Sequence, residues 1–171
     1  MSARLPFDPV ERAGRSWAEH YPEAGEDIYA AMRAVTSIMR AQQILIANLD
    51  AALRPFNLTF SRYEALVLLS FSSAGALPLS KIGERLQVHA TSVTNVIDRL
   101  ESSGFVRREP NPRDGRGTLA VLTEPGRAVV EQATKELHRT AFGLQGLQTG
   151  ELHQLFDILR RLRIDAGDFA D

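Results

Sequence analysis

The sequence predicts a mainly α-helical chain carrying one small β-wing. Three observations predict it. Apolar residues recur at three- and four-residue steps along most of the 171 residues. That period breaks once, in residues 105–122, where two short strand-like runs flank a stretch dense in turn formers. Hydrophobic residues make up 44% of the chain, enough for a packed core, so global disorder is not expected.

The elements follow in order. Residues 1–7 read as frayed. Asp8-Pro9-Val10-Glu11 is a helix start: Asp8 can cap, Pro9 suits the first helical position, and Glu11 completes a capping box. Val10, Ala13 and Trp17 then share a face, giving a short leading helix that ends near Tyr21-Pro22. A long helix spans residues 27–53, its stripe formed by Ile28, Met32, Val35, Met39, Gln42, Ile46, Leu49 and Leu53. Asp27 favours its start through the helix dipole, and Pro55 ends it. At 1.5 Å per residue it is about 40 Å long, so it overhangs a small domain and calls for a second subunit.

Three shorter helices follow, at 61–72, 80–86 and 91–103. Leu66, Val67 and Leu69 face inward in the first, and Ser80 is a plausible cap for the second. Val93, Val96, Ile97 and Leu100 form the buried face of the third, which Gly104 ends with positive φ. Residues 105–109 and 118–122 make a two-stranded hairpin with a long tip. Thr123 opens a helix running to about Leu147, with Pro125 in its first turn. A last helix covers 149–164, with Leu152, Leu155, Leu159 and Leu162 in a heptad-like seam, and the 165–171 tail reads as loose. The domain reading is an N-terminal extension (1–26), a helical dimerisation region (27–56 and 123–166) and a compact lobe (57–122).

Composition excludes several chemistries. The chain has no cysteine, which removes disulfides, thiolate zinc sites, cysteine nucleophiles and thiol redox sensing. His20, His89, His138 and His153 lack metal-ligand spacing, and no Walker-type loop or Gly-x-Ser-x-Gly motif is present, so neither a cofactor nor an enzyme is expected. No apolar run approaches the ~20 residues of a membrane span. Residues 1–10 lack the basic start and apolar stretch of a signal peptide, so a cytoplasmic location is expected. The formal net charge is −1, so any nucleic-acid surface must be a local patch.

Such a patch is legible. Helix, helix, helix, hairpin is the order of a winged helix-turn-helix, whose second helix enters the major groove. Opposite the buried Val93, Ile97 and Leu100, the reading helix presents Thr91, Ser92, Thr94 and Asn95 near its N-terminus, where they can reach base edges or phosphates. Ser80 and His89 flank the turn, and Arg99 can reach a phosphate. Arg107 and Arg108 suit a phosphate contact or a structural ion pair, against the plainer reading of a solvated strand face. Arg113 and Arg116 lie at the wing tip, where arginine suits a narrow minor groove, and Asp114 can orient Arg116 by an ion pair. These residues point to double-stranded DNA. The competing reading is a winged helix that binds protein; the arginine-bearing wing and the polar helix face argue against it.

The stretch SKIGERLQVHATSVTNVIDRLESSGFVRREPNPRDGRGTLAVLTEPGR resembles the MarR family of transcription regulators, through the Asp-x-Arg wing tip (Asp114, Arg116) and the Leu122-Thr123 and Gly126-Arg127 entry into the next helix. His89 departs from the Ser or Thr that often caps the family's reading helix, leaving a base or phosphate contact open to it. The resemblance implies a homodimer whose first and last helices form the dimer core and whose two wings straddle a pseudo-palindromic operator. It also implies a small organic-acid or aromatic effector that releases a repressor from DNA. The leading helix is similar to the extension of the urate-responsive branch. On that pattern Trp17 is either a pocket wall or a staple for the extra helix, Glu64 a ligand or structural group, and Arg108 a strand arginine of the pocket. Tyr63, with Arg40 or Arg62, supplies polar contacts. Where that branch carries an arginine on the reading helix, this chain has Val96, which turns the expectation toward an aconitate-, citrate- or salicylate-like anion.

Overall fold

The computed structural model describes residues 5–112, 114 and 117–170. The chain divides into two compact units, Met1–Asn48 and Leu49–Asp171.

The first unit holds helix α1 (Pro9–His20) and most of α2 (Glu26–Leu53). Asp8 caps α1 by accepting from the Val10 N–H at 2.8 Å, while Glu11 pairs with Arg15 rather than closing the expected capping box. Gly14 is where α1 lies against α2: a Cβ there would stand 2.9 Å from Arg33 Cγ and Cδ. The Tyr29 hydroxyl donates to the Tyr21 carbonyl at 2.6 Å and closes the corner between the helices. The apolar stripe of α2 stays open to solvent at Ile28, Val35, Met39 and Ile46; only Leu49 and Leu53 are buried.

The second unit carries the core. A 3₁₀ turn (Arg54–Phe56) and Asn57, in the left-handed region at φ 57°, lead from α2 toward α3 (Phe60–Ser70). Strand β1 (Ala76–Pro78), α4 (Leu79–Leu86), α5 (Ala90–Ser102), β2 (Val106–Pro110), β3 (Thr118–Leu122), α6 (Glu124–Arg139) and α7 (Thr149–Asp165) follow. The expected two-stranded hairpin is a three-stranded antiparallel sheet in the order β1-β3-β2, with Arg108 opposite Ala120 and Leu77 opposite the same residue from the other side. At three residues ending on proline, β1 is too short to show an alternating pattern.

Leu66 and Leu69 of α3, Ile82 of α4, Val93, Ile97 and Leu100 of α5, Val106 of β2 and Ala120 of β3 pack into one apolar centre, with Val130, Ala133 and Leu137 of α6. Each large side chain fully buried there contributes about 1.5–3 kcal/mol. The helix expected to run to Leu147 stops at Arg139. Ala141, Phe142 and Gly143 all have positive φ, which no α-helix tolerates. Helix α7 buries none of its residues, and Leu155, Ile158 and Leu162 are exposed.

The tail read as loose is tied down. Asp168 accepts from Arg163 Nε at 2.6 Å and from Gln87 Nε2 at 2.7 Å, and Phe169 lies under the guanidinium groups of Arg160 and Arg163.

Candidate nucleic-acid interface

The reading head is built from α4, a three-residue turn and α5. Gln87 ends α4 in the left-handed region, its N–H bonded to the Gly83 carbonyl. Gly83 lets the two helices close up: a Cβ there would stand 3.2 Å from both the Val88 carbonyl and Val93 Cγ2. Ser80 does not cap α4. Pro78 occupies the N-cap position without a side-chain bond, and Ser80 lies exposed in the first turn, because the helix begins one residue earlier than expected. His89 does cap α5: its Nδ1 faces the Thr91 N–H at 3.3 Å and the Thr91 hydroxyl at 3.2 Å. An imidazole nitrogen thus takes the role usually filled by a hydroxyl or carboxylate.

Val93, Ile97 and Leu100 face the core, and Thr91, Ser92, Thr94, Asn95, Asp98 and Arg99 are exposed. Thr94 donates its hydroxyl to the Ala90 carbonyl. Asn95 and Arg99 share a hollow of about 640 Å³ with Thr59, Arg62 and Asp98, between α5 and the start of α3. At the wing root a second hollow, about 380 Å³, brings Ser80 and Lys81 of α4 beside Asn111 and Asp114.

In the wing, Arg107 pairs with Glu109 at 2.7 Å, the structural ion pair among its expected roles. Asp114 closes the neck of the loop: its carbonyl accepts from the Gly117 N–H at 2.8 Å, and its own N–H donates to the Asn111 carbonyl. Arg113 and Arg116 lie outside the described residues, and with them the expected Asp114–Arg116 pair. Arg108 reaches back to α5, with Asp98 at 2.7 Å and Glu101 at 2.6 Å. These two acids were missed in the sequence. Their three-residue spacing on a helix ahead of a strand arginine is the available signal.

The residues expected to hold an effector are spread over both units. Trp17, tilted against Tyr21 at 5.2 Å, and Arg40, bonded to Gln43, belong to the first. In the second, Arg62 opens onto the hollow beside Asn95. Tyr63 is buried, its hydroxyl 3.0 Å from Thr134 Oγ1, and lines a different hollow of about 760 Å³ between α3 and α6. Phe71 and Phe142 give that hollow aromatic walls, and Arg127, Lys135 and His138 place nitrogen groups around it. Glu64 is half-buried, and burial raises its carboxyl pKa above the ordinary value. Among the described residues no group of acidic and histidine side chains is placed to hold a metal ion, and no helix is long and apolar enough to cross a membrane.

Two helices closed over a tight turn and flanked by a three-stranded sheet define a winged helix-turn-helix. Residues 59–118 match the MarR family model. A solved MarR family transcriptional regulator, Sco5413 from Streptomyces coelicolor, is 56% identical, covers 83% of this chain and 99% of its own, and superposes with a TM-score of 0.77. Sco3205 of the same organism, a MarR family regulator solved in complex with DNA, is 26% identical over 78% of this chain and 86% of its own, with a TM-score of 0.67. The Bacillus subtilis HTH-type transcriptional regulator YhbI is 32% identical over 63% of this chain and 69% of its own. The chain belongs to the MarR family of transcription regulators, whose members are not enzymes.

Proposed function

We propose that the protein is a cytoplasmic repressor that binds a pseudo-palindromic operator as a homodimer and is released by a small organic-acid or aromatic ligand. One observation carries the DNA part: the polar face of α5, seated on a buried apolar face and flanked by the wing. In this reading Thr91, Ser92, Thr94 and Asn95 meet base edges or phosphates, with Ser80, His89 and Arg99 beside them. Arg107, Arg113 and Arg116 serve the wing's contacts, and Asp114 shapes its neck. The DNA complex of Sco3205 supports the same use of the fold. The open apolar residues of α2 and α7 support a partner subunit. Two-fold symmetry sets half-sites about 10 bp apart. The α3–α6 hollow, with aromatic walls and nitrogen groups around it, supports an aromatic or anionic effector. Tyr63, which lines that hollow, remains proposed to contact the effector, and Trp17, Arg40, Arg62, Glu64 and Arg108 remain separate candidates for sensing it.

The test is a gel shift on the DNA upstream of the protein's own gene. A retarded band that weakens steeply with salt is expected, because bound phosphates release counterions. Titration with organic acids should release the DNA and change Trp17 fluorescence. Equal affinity for all duplexes would overturn the operator reading, and the absence of any response to such acids would overturn the effector reading.

A further inference from the structure

Arg108 makes three bonds to two residues of α5. One guanidinium nitrogen meets Asp98 Oδ1 at 2.7 Å and the other meets Glu101 Oε2 at 2.6 Å. The Arg108 backbone N–H donates to the remaining oxygen of Glu101 at 3.1 Å. The Glu101 carboxylate is therefore held by the main chain and the side chain of one strand residue. The same guanidinium spans two helix positions one turn apart. Burial opposes the charge of this guanidinium, but the bonds to Asp98 and Glu101 prevail and raise its pKa further.

Two physical effects follow. Apolar packing of Val93, Ile97 and Leu100 holds α5 against the core but is non-directional, so by itself it resists rolling about the helix axis only weakly. A planar fork bonded to two carboxylates is directional and fixes that roll. Thr91 and Asn95 share a face with Asp98, so the roll decides which base edges they meet. The second effect is charge. Asp98 is exposed on the face proposed to meet DNA, and an unpaired carboxylate there would repel phosphates. The Arg108 guanidinium offsets part of that charge, its single positive charge being shared between Asp98 and Glu101.

We infer that Arg108 is a positioning residue for DNA reading, which ties the wing strand to the recognition helix, fixes the helix's roll and masks Asp98. The inference rests on α5 being the DNA-reading element. It separates Arg108 from the wing-tip arginines Arg113 and Arg116, whose proposed work is in the minor groove.

The experiment measures the affinity of the full-length protein for its operator and for a random duplex, and takes the ratio. Arg108→Ala, Arg108→Lys and the double variant Asp98→Asn with Glu101→Gln are compared with wild type, each checked by circular dichroism and thermal melting. Lysine keeps the charge but cannot span both acids. The double variant separates positioning from charge: it removes two negative charges near DNA, so random-duplex affinity should rise, while the operator preference should still fall by about tenfold. A similar fall is expected for both Arg108 variants, with melting temperatures close to wild type. Operator preference retained by all folded variants would overturn the clamp and leave the DNA reading standing. A wild type without preference among duplexes would overturn the DNA reading, and the clamp with it. Where Arg108→Ala fails to fold, the lysine and double variants decide the matter.

Discussion

Gly126 is the most tightly enclosed of the described glycines. A Cβ at that position would fall 2.0 Å from the Phe105 carbonyl oxygen and 2.9 Å from Leu122 Cδ1. The first obstacle is backbone, so α6 would have to lift from the end of α5. Gly126→Ala should cost about 1–3 kcal/mol or more by urea unfolding, despite alanine's better helix propensity. Glu64 gives a pH-dependent counterpart. Burial raises its carboxyl pKa above 4.5, so the native state binds this proton more tightly than the unfolded chain does. Its favourable contribution is complete in acid and is lost as pH rises through the native pKa. Glu64→Gln should therefore match wild type well below pH 4.5 and melt higher than wild type near neutrality. Equal melting temperatures across that range would show that the burial of Glu64 carries no such penalty.

At the scale of elements, Thr123 joins three parts of the lobe. Its hydroxyl accepts from the Gly126 N–H at 3.1 Å, donates to the Gly104 carbonyl at 2.7 Å, and so caps α6 while holding the end of α5. Thr123→Ala should lose about 1–2 kcal/mol, and Thr123→Ser should recover most of it; chemical denaturation checks both. This cap was legible because a threonine before Pro125 leaves few alternatives. The helices were legible because each repeats its period for two turns or more, and the two wing strands because short strand-like runs flank a stretch dense in turn formers. Strand β1 was not, because three residues carry no period and its partner β3 lies over forty residues away. The end of α6 was missed because Leu144 and Leu147 continue the apolar spacing, although Gly143 and Gly146 signal a break. At the reading head, the polar residues of α5 were recognisable from their place after the turn. An ion pair was among the readings of Arg108, but its partners Asp98 and Glu101 were not legible, because they depend on how a strand residue lies over a helix that precedes it.

At the scale of the molecule, exposure concentrates on α2 and α7. Val35 and Ile158 are 50% and 55% exposed, far from the burial of the lobe's core. Under the proposed dimer these residues lie in the interface. Val35→Asp or Ile158→Asp should then shift sedimentation toward the single-chain mass and weaken operator binding together, since a single half-site retains only part of the contact. Unchanged mass in both variants would move the interface elsewhere. The sequence periodicity marked both helices as needing cover, whereas the effector residues were inferred by resemblance. Arg62 and Tyr63, adjacent in sequence, open onto different hollows, a separation that a helix imposes on neighbouring residues and that a residue-by-residue carry-over does not register.

The bond between Asp168 and Gln87 has a practical corollary for deletion work. Terminal residues are commonly trimmed on the assumption that they are inert. Here, a shortened version lacking residues 168–171 would leave the amide of Gln87 without its acceptor, at a corner already held in a left-handed backbone. Hydrogen exchange at the Gln87 and Val88 amides should quicken in that version while the middle of α3 keeps its protection, so trimming four distant residues would be felt at the hinge of the reading head.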